Sequence, residues 1–309
     1  MDVHVDRRAL LLLTGGSLVA GCTRGGSSTG SASPSVTASP SPSPSPTPTQ
    51  TPSPTAGDTS TPSPSASPTP ELPKVTRWQP SPNDNAPQAK ITAVRAIERR
   101  LTGRRSAVQV LDAQFGGLLT STASVLVPCR TWRRTSAGVA TGGATYDVRL
   151  TRGTTGWRVT DVFASRPGPA HRLTRDERAV LDRDRIVLPP AAQADVRSGR
   201  VHVSVLAAML RLSQRYRIGA SVIRSGHPLH VFGTDRLSDH PQGRAFDTFM
   251  IDGELVVARG TQRSLVTGYM EAAARAGSYN VGGPYLLGAA PQWFSDQTHH
   301  DHVHAGFSA

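Results

Sequence analysis

A run of Ser, Thr, Pro and Gly from residue 23 to 73 sets the first limit on this chain. It carries almost no charge and almost no large apolar side chains. Such a segment cannot bury enough surface to offset the entropy of ordering it. Its repeated Ser-Pro and Thr-Pro steps favour an extended, polyproline-like tether. About 50 residues at roughly 3.1 Å each would span some 150 Å at full extension. Folding is thereby confined to residues 75–309, enough chain for one or two cores.

Within that part the histidines are unevenly placed. Seven of the ten follow position 226: His227, His230, His240, His299, His300, His302 and His304. One run is His240-Pro-Gln-Gly-Arg-Ala-Phe-Asp247, and a later one is Asp301-His302-Val303-His304. Two imidazoles and a carboxylate are enough to hold one zinc ion and leave its fourth position open to water. Strand alternation puts His302 and His304 on one side and Val303 on the other. Ala245, Asp247, Phe249 and Ile251 alternate in the same way, and Asp252-Gly253 predicts a type I′ turn before Glu254-Leu255-Val256-Val257. Asp247 then stands on a strand, with His240 on the loop leading in, and a second strand can bring His304 alongside. Gly243 suits a loop position that must be free of Cβ crowding. His227, His230, His299 and His300 are expected to be ordinary surface residues.

The pattern Ser238-x-His240-x-x-Gly243-x-Ala245-x-Asp247, followed by His302-x-His304, resembles the zinc D,D-peptidases of peptidoglycan. These are the D-Ala-D-Ala carboxypeptidases and dipeptidases and, more broadly, the group that includes the lysostaphin-type endopeptidases. Ser225-Gly226-His227 is similar to the Ser-Gly-aromatic stretch that opens such domains, and the resemblance covers roughly residues 172–309. It implies that His240, Asp247 and His304 ligate Zn2+ and that an amide bond of a peptidoglycan stem peptide is cut, by carboxypeptidase or endopeptidase action. It leaves two general bases open. Asp301 stands where the carboxypeptidases carry a Glu, three residues before the last ligand. His302 is the first His of His-x-His, which the endopeptidases use, and strand alternation favours it. Arg224 and Ser238 are the expected substrate-binding residues, with Arg244 a further candidate. The Arg that many members carry just after the Ser-Gly-aromatic stretch is replaced here by Pro228. The rival function is a non-catalytic wall-binding or assembly lipoprotein that keeps the fold, and a zinc scavenger is the third.

Arg7-Arg8 precede a short apolar run, Ala9 to Ala20, which is too short to span a membrane. It ends in Leu18-Val19-Ala20-Gly21-Cys22, the form of a secretory signal. A Cys directly after Ala-Gly resembles a bacterial lipobox. That implies lipidation of Cys22 and anchoring at the extracytoplasmic face of the cell membrane; the paired arginines also resemble a twin-arginine export signal. Cys129 is then the one thiol left, and a structural role is expected for it. The net charge is +12, carried by arginine, since Lys74 and Lys90 are the only lysines. Attraction to an anionic wall or membrane surface follows. Nucleic acid is not expected as a partner, because no nucleic-acid-binding motif is present.

The fold class expected is α+β. Ile91, Val94, Ile97 and Leu101 recur at helical spacing, predicting a helix over 86–101. Strands are predicted at 123–127, 144–150 and 157–164. Helix plus meander makes a small α+β domain over 75–166, faintly resembling cystatin or nuclear-transport-factor-2 architectures. It shows no catalytic group and reads as a spacer or partner-binding unit. Pro167-Gly168-Pro169 marks the boundary to a small antiparallel-sheet domain over 172–309, the zinc D,D-peptidase-like part. There Thr174 and Glu177 have capping-box spacing. Helices are predicted over 203–215 and 263–276 and a strand over 220–225, with Gly219 as a helix C-cap.

Overall fold

Helix α1 (Pro87–Leu101) begins on a proline, whose missing N–H is one of the four left unpaired in any first turn. Its inward stripe is Ala89, Ala93, Val94 and Ile97, and Lys90 is buried beside them. The stripe packs on a sheet made of β1 (Ser106–Val110), β2 (Gln114–Leu118), β3 (Thr122–Thr135), β4 (Gly138–Gly142), β5 (Thr145–Gly153) and β6 (Gly156–Ala164). The long β3 organises this N-terminal lobe. Its first half pairs with β2 on one edge and β5 on the other, and its second half pairs with β1 and β4. The exchange falls at Pro128 and Cys129, where a residue without an N–H is least disruptive. Ile97, Phe115, Val125, Val148 and Leu150 fill the core of the lobe. Each such side chain contributes about 1.5–3 kcal/mol on burial. The computed structural model describes residues 71–308, all within one compact unit. Cys22, the leader and the Pro/Ser/Thr tract up to residue 70 lie outside the described residues.

The C-terminal lobe runs α2 (Arg175–Leu181), β7 (Ile186–Val187), α3 (Pro190–Arg197), α4 (Val203–Leu212), β8 (Ile218–Val222), β9 (Ala245–Ile251), β10 (Glu254–Leu255), α5 (Arg263–Arg275), β11 (Asn280–Gly282), β12 (Trp293–Phe294) and β13 (Val303–Gly306). Its sheet has the order β12-β11-β13-β9-β8-β7, with β10 hairpinned onto β9. Pairing is antiparallel except for β7 with β8 and β11 with β12. α5 covers one face, where Thr248 Oγ1 and Tyr269 Oη lie 2.8 Å apart. Val205, Met209, Phe246, Tyr269 and Val303 belong to the core. No described helix is long and apolar enough to cross a membrane.

Mixed helices with largely antiparallel sheets agree with the α+β expectation. The capping box forms as predicted, with Thr174 Oγ1 accepting from Glu177 N–H and the Glu177 carboxylate accepting from Thr174 N–H. Asp252 and Gly253 have φ of 52° and 94°, the double positive φ of a type I′ turn. Gly219 is not a helix cap. It lies inside β8, close against Met250 of β9, where a side chain would crowd the pair.

Candidate metal centre

Strand register decides the site. In the β9–β13 pair His304 stands directly opposite Asp247. Both side chains leave the sheet on the face away from α5. His240 approaches on the turn before β9, which Gly243 makes possible. Gly243 has φ +71°, and a Cβ there would come within 2.0 Å of the Arg200 carbonyl oxygen. The carbonyl of Gly243 accepts from His202 N–H at 2.8 Å, so the turn is pinned from both sides.

Three donor atoms converge as a result. His240 Nε2 lies 3.1 Å from Asp247 Oδ1, His304 Nδ1 lies 3.0 Å from the same oxygen, and the two nitrogens are 3.2 Å apart. Donors around a cation with bonds of about 2.0 Å in a tetrahedron would be roughly 3.3 Å apart, so the triangle has the right size for one small divalent ion. His227, His240 and Asp247 also offer ligand atoms within 4.8 Å of one another, which makes His227 a fourth member of the cluster. Its ring stacks on His240 at 4.1 Å and 17°. The tighter group is the one that includes His304, because every edge of its triangle is a contact distance. His227 Nδ1 is turned instead toward the Pro228 carbonyl at 3.0 Å and Ser238 Oγ at 3.4 Å.

His240 and Asp247 are held from behind. His240 Nδ1 faces the Ile223 carbonyl at 2.8 Å, which assigns the proton to Nδ1 and leaves Nε2 free to ligate. Ser238 Oγ accepts from His240 N–H at 3.4 Å. Asp247 Oδ2 accepts from the Gln114 side-chain amide at 2.7 Å, so only Oδ1 faces the imidazoles. Burial alone would raise the Asp247 carboxyl, but His240 and His302 beside it hold it well below the carboxylate range. Burial presses His304 down to about 4 despite its contact with Asp247. Both groups therefore stand at neutral pH in the form that binds a cation, an ionised carboxylate and a neutral imidazole.

His302 and Asp301 take different places. His302 Nε2 lies 3.7 Å from Asp247 Oδ1 and opens on the same cleft. Its Nδ1 is 2.6 Å from Asp301 Oδ1. Asp301 does not line the cleft. It follows a short 3-10 turn (Thr298–His300), and its Oδ2 turns back to Lys90 Nζ at 2.7 Å and to the Phe115 N–H at 3.1 Å. Burial would lift Asp301, but Lys90 and then His302 hold it at about 2. Burial works against a charge on His302, yet Asp247 and Asp301 lift it to about 9.

The cleft in front has a volume of about 950 Å³. The β2–β3 hairpin of the N-terminal lobe forms one wall, and Phe232, Ser238 and Phe294 contribute to the rest. The two lobes meet closely over it, since a Cβ on Gly117 would fall 2.1 Å from the Phe232 side chain. Ser238 lines the cleft. Arg224 does not line the cleft. Its guanidinium reaches the Pro167 carbonyl at 3.2 Å and Asp195 at 3.8 Å, because Ile223 and Arg224 turn away beyond the end of β8. Arg244 is also outside the cleft, with its guanidinium on Gln242. Cys129 is buried, and desolvation pushes its thiol up to about 12, which fits a structural role.

Comparison of the chain with protein-family models, curated proteins and solved structures gives no match. The site therefore has to be read from its own chemistry. Four groups escaped the sequence. His227 and His299, expected at the surface, both line the cleft, and His299 Nδ1 is held by Asp296 Oδ1 at 2.7 Å. The Ser225-Gly226-His227 stretch was the available signal for the first. Lys90 and Gln114 come from the lobe read as a spacer, and no local pattern marks either of them.

Proposed function

We propose that the chain is a zinc-dependent peptidase that hydrolyses an amide bond in peptidoglycan stem peptides, exported and held at the membrane through lipidated Cys22. The observation that carries this reading is the triangle of His240 Nε2, Asp247 Oδ1 and His304 Nδ1, with a further imidazole, His302, beside it at the floor of an open cleft. Two imidazoles, one carboxylate and no thiolate suit zinc in a site that keeps an open position. Zinc held there supplies a Lewis acid and makes water acidic near neutral pH.

The chain's own groups supply the remainder. His302 Nε2 is placed to take a proton from attacking water and return it to the amine nitrogen as the C–N bond breaks. Asp301 accepts from Nδ1 and fixes the tautomer that leaves Nε2 toward the cleft. When Asp247 is neutralised by a bound cation, His302 loses the neighbour that does most to hold its proton. His302 is therefore the base, and Asp301 supports it from behind. Arg236 is the one lysine or arginine among the described residues lining the cleft, and it replaces Arg224 as the group to meet a substrate carboxylate.

The experiment is incubation with purified muropeptides, with and without chelator, followed by mass analysis. The expected result is a chelator-sensitive loss of D-alanine or scission of a cross-link. A zinc-loaded protein that binds the wall polymer and releases no fragment would point instead to the non-catalytic wall-binding role.

A further inference from the structure

Gln114 opens β2 in the N-terminal lobe, and none of its surface is exposed. Its side chain crosses into the C-terminal lobe. The amide nitrogen lies 2.7 Å from Asp247 Oδ2, and the amide oxygen is hydrogen-bonded to Ser221 Oγ on β8. The orientation of the amide is chemically forced. An ionised carboxylate can only accept, so the NH2 end must face Asp247. The oxygen end then requires a donor, and the Ser221 hydroxyl supplies one. The Asp247 carbonyl lies 3.3 Å from the same Ser221 oxygen, whose single proton goes to the Gln114 amide oxygen.

We propose that Gln114 is a positioning residue of the cation site: by engaging Oδ2 it makes Asp247 a one-oxygen ligand and keeps the coordination number low. The inference rests on the metal-binding reading above and adds to it. A carboxylate with both oxygens free can turn and bind through both, filling the position that water or substrate needs. With Oδ2 occupied by the amide, only Oδ1 is presented to His240 and His304. The groups behind metal ligands orient them and typically change affinity by about 10–100-fold when removed. On this reading the N-terminal lobe supplies a group to the site, beyond the spacer or partner-binding role expected of it.

The test uses cobalt(II) and zinc titrations of the purified protein, with cobalt visible absorption as the readout of coordination number. Four-coordinate cobalt(II) absorbs more strongly in the visible than five- or six-coordinate cobalt(II). Wild type is expected to bind one cation with the strong four-coordinate band. Gln114→Met keeps the side-chain length and removes both hydrogen bonds; it is expected to bind about 10–100-fold more weakly and to show a weaker band as Oδ2 enters the shell. Ser81→Ala serves as the control for contact between the lobes, since Ser81 Oγ donates to the Val257 carbonyl at 2.8 Å without touching the site. It should change neither readout. If wild type takes up no cation, the metal reading itself fails. If wild type binds and Gln114→Met matches it in affinity and spectrum, the positioning role alone is overturned. An equal effect of Ser81→Ala would also overturn it, because generic lobe contact would then account for the loss. Should Gln114→Met not fold, Ser221→Ala frees only the far end of the amide. A few-fold weaker affinity would support the role, and unchanged affinity and spectrum would end it.

Discussion

Lys90 Nζ lies 2.7 Å from Asp301 Oδ2, and both side chains are almost completely buried although they come from different lobes. Lys90 also pairs with Asp84. Burial alone would strip its charge, but Asp301 and Asp84 outweigh that and raise its pKa. The pair holds Asp301 ionised directly behind His302, so a helix of the N-terminal lobe sets the charge state of a group next to the candidate metal centre.

Lys90→Met should destabilise the protein by about 3–5 kcal/mol, because removing one partner leaves a buried, uncompensated carboxylate. The pH dependence has a definite sign. Asp301 has a folded pKa of about 2, below its ordinary 3.8. It therefore contributes roughly 2 kcal/mol above pH 4 that is lost as pH falls toward 2. Without Lys90 that carboxyl rises toward or past 3.8, so its contribution above pH 4 shrinks and the fall in stability on acidification becomes smaller. Urea unfolding from pH 3 to 7 measures both effects; an unchanged acid limb would sink the assignment.

Asp247→Ala and His304→Ala should abolish stoichiometric zinc uptake, whereas His302→Ala should keep the zinc and lose turnover by about 10²–10⁴-fold. Asp301→Asn should retain zinc with a smaller loss of rate, since it orients the base without touching the cleft. Equilibrium dialysis against zinc, paired with muropeptide turnover, separates the two groups. Zinc retained at full occupancy in Asp247→Ala would refute the ligand set.

Arg236→Ala should raise KM for substrates that end in a carboxylate and leave KM for amidated ones nearly unchanged. Arg224→Ala should instead lower stability with little change in KM, because its partners are Pro167 and Asp195. The reverse outcome would return the substrate contact to Arg224.

Gly243→Ala should cost about 1–3 kcal/mol from backbone strain alone, with a further cost from the close approach to Arg200. Because the His240 turn moves with it, zinc affinity should fall as well. Thermal melting with and without zinc checks both.

Cys129 should resist thiol reagents in the native protein and react fully only on unfolding, since its thiol is buried and titrates at about 12. Peptide mapping after alkylation, with and without denaturant, reads this directly.

Much of the scaffold was written in local patterns. The three-to-four spacing of Ile91, Val94 and Ile97 gave α1, the Thr174–Glu177 pair gave the start of α2, and Asp252-Gly253 gave its turn. Strands β1, β2 and β4 were not legible, because none of them alternates between buried and exposed residues. β2 also reads Gln-Phe-Gly-Gly-Leu, buried along its whole length, so no alternation is visible. In the site, His240, Asp247 and His304 could be marked by spacing and residue type. His227 looked like one histidine among several until its ring was seen stacked on His240.

The sequence by itself marked His240, Asp247 and His304 as candidates to hold a cation, and the short segments that carry them, because hydrogen-bonding periodicity and turn chemistry act over a few residues; it did not mark His227. Tertiary structure alone decided that His304 stands opposite Asp247, that Arg224 faces Asp195 and not the cleft, and that Lys90 and Gln114 reach across from the other lobe. Register between distant strands and burial of charge between lobes depend on the packing of whole surfaces. A buried lysine has the same letter as a solvated one, and only the carboxylates that the fold places around it tell them apart.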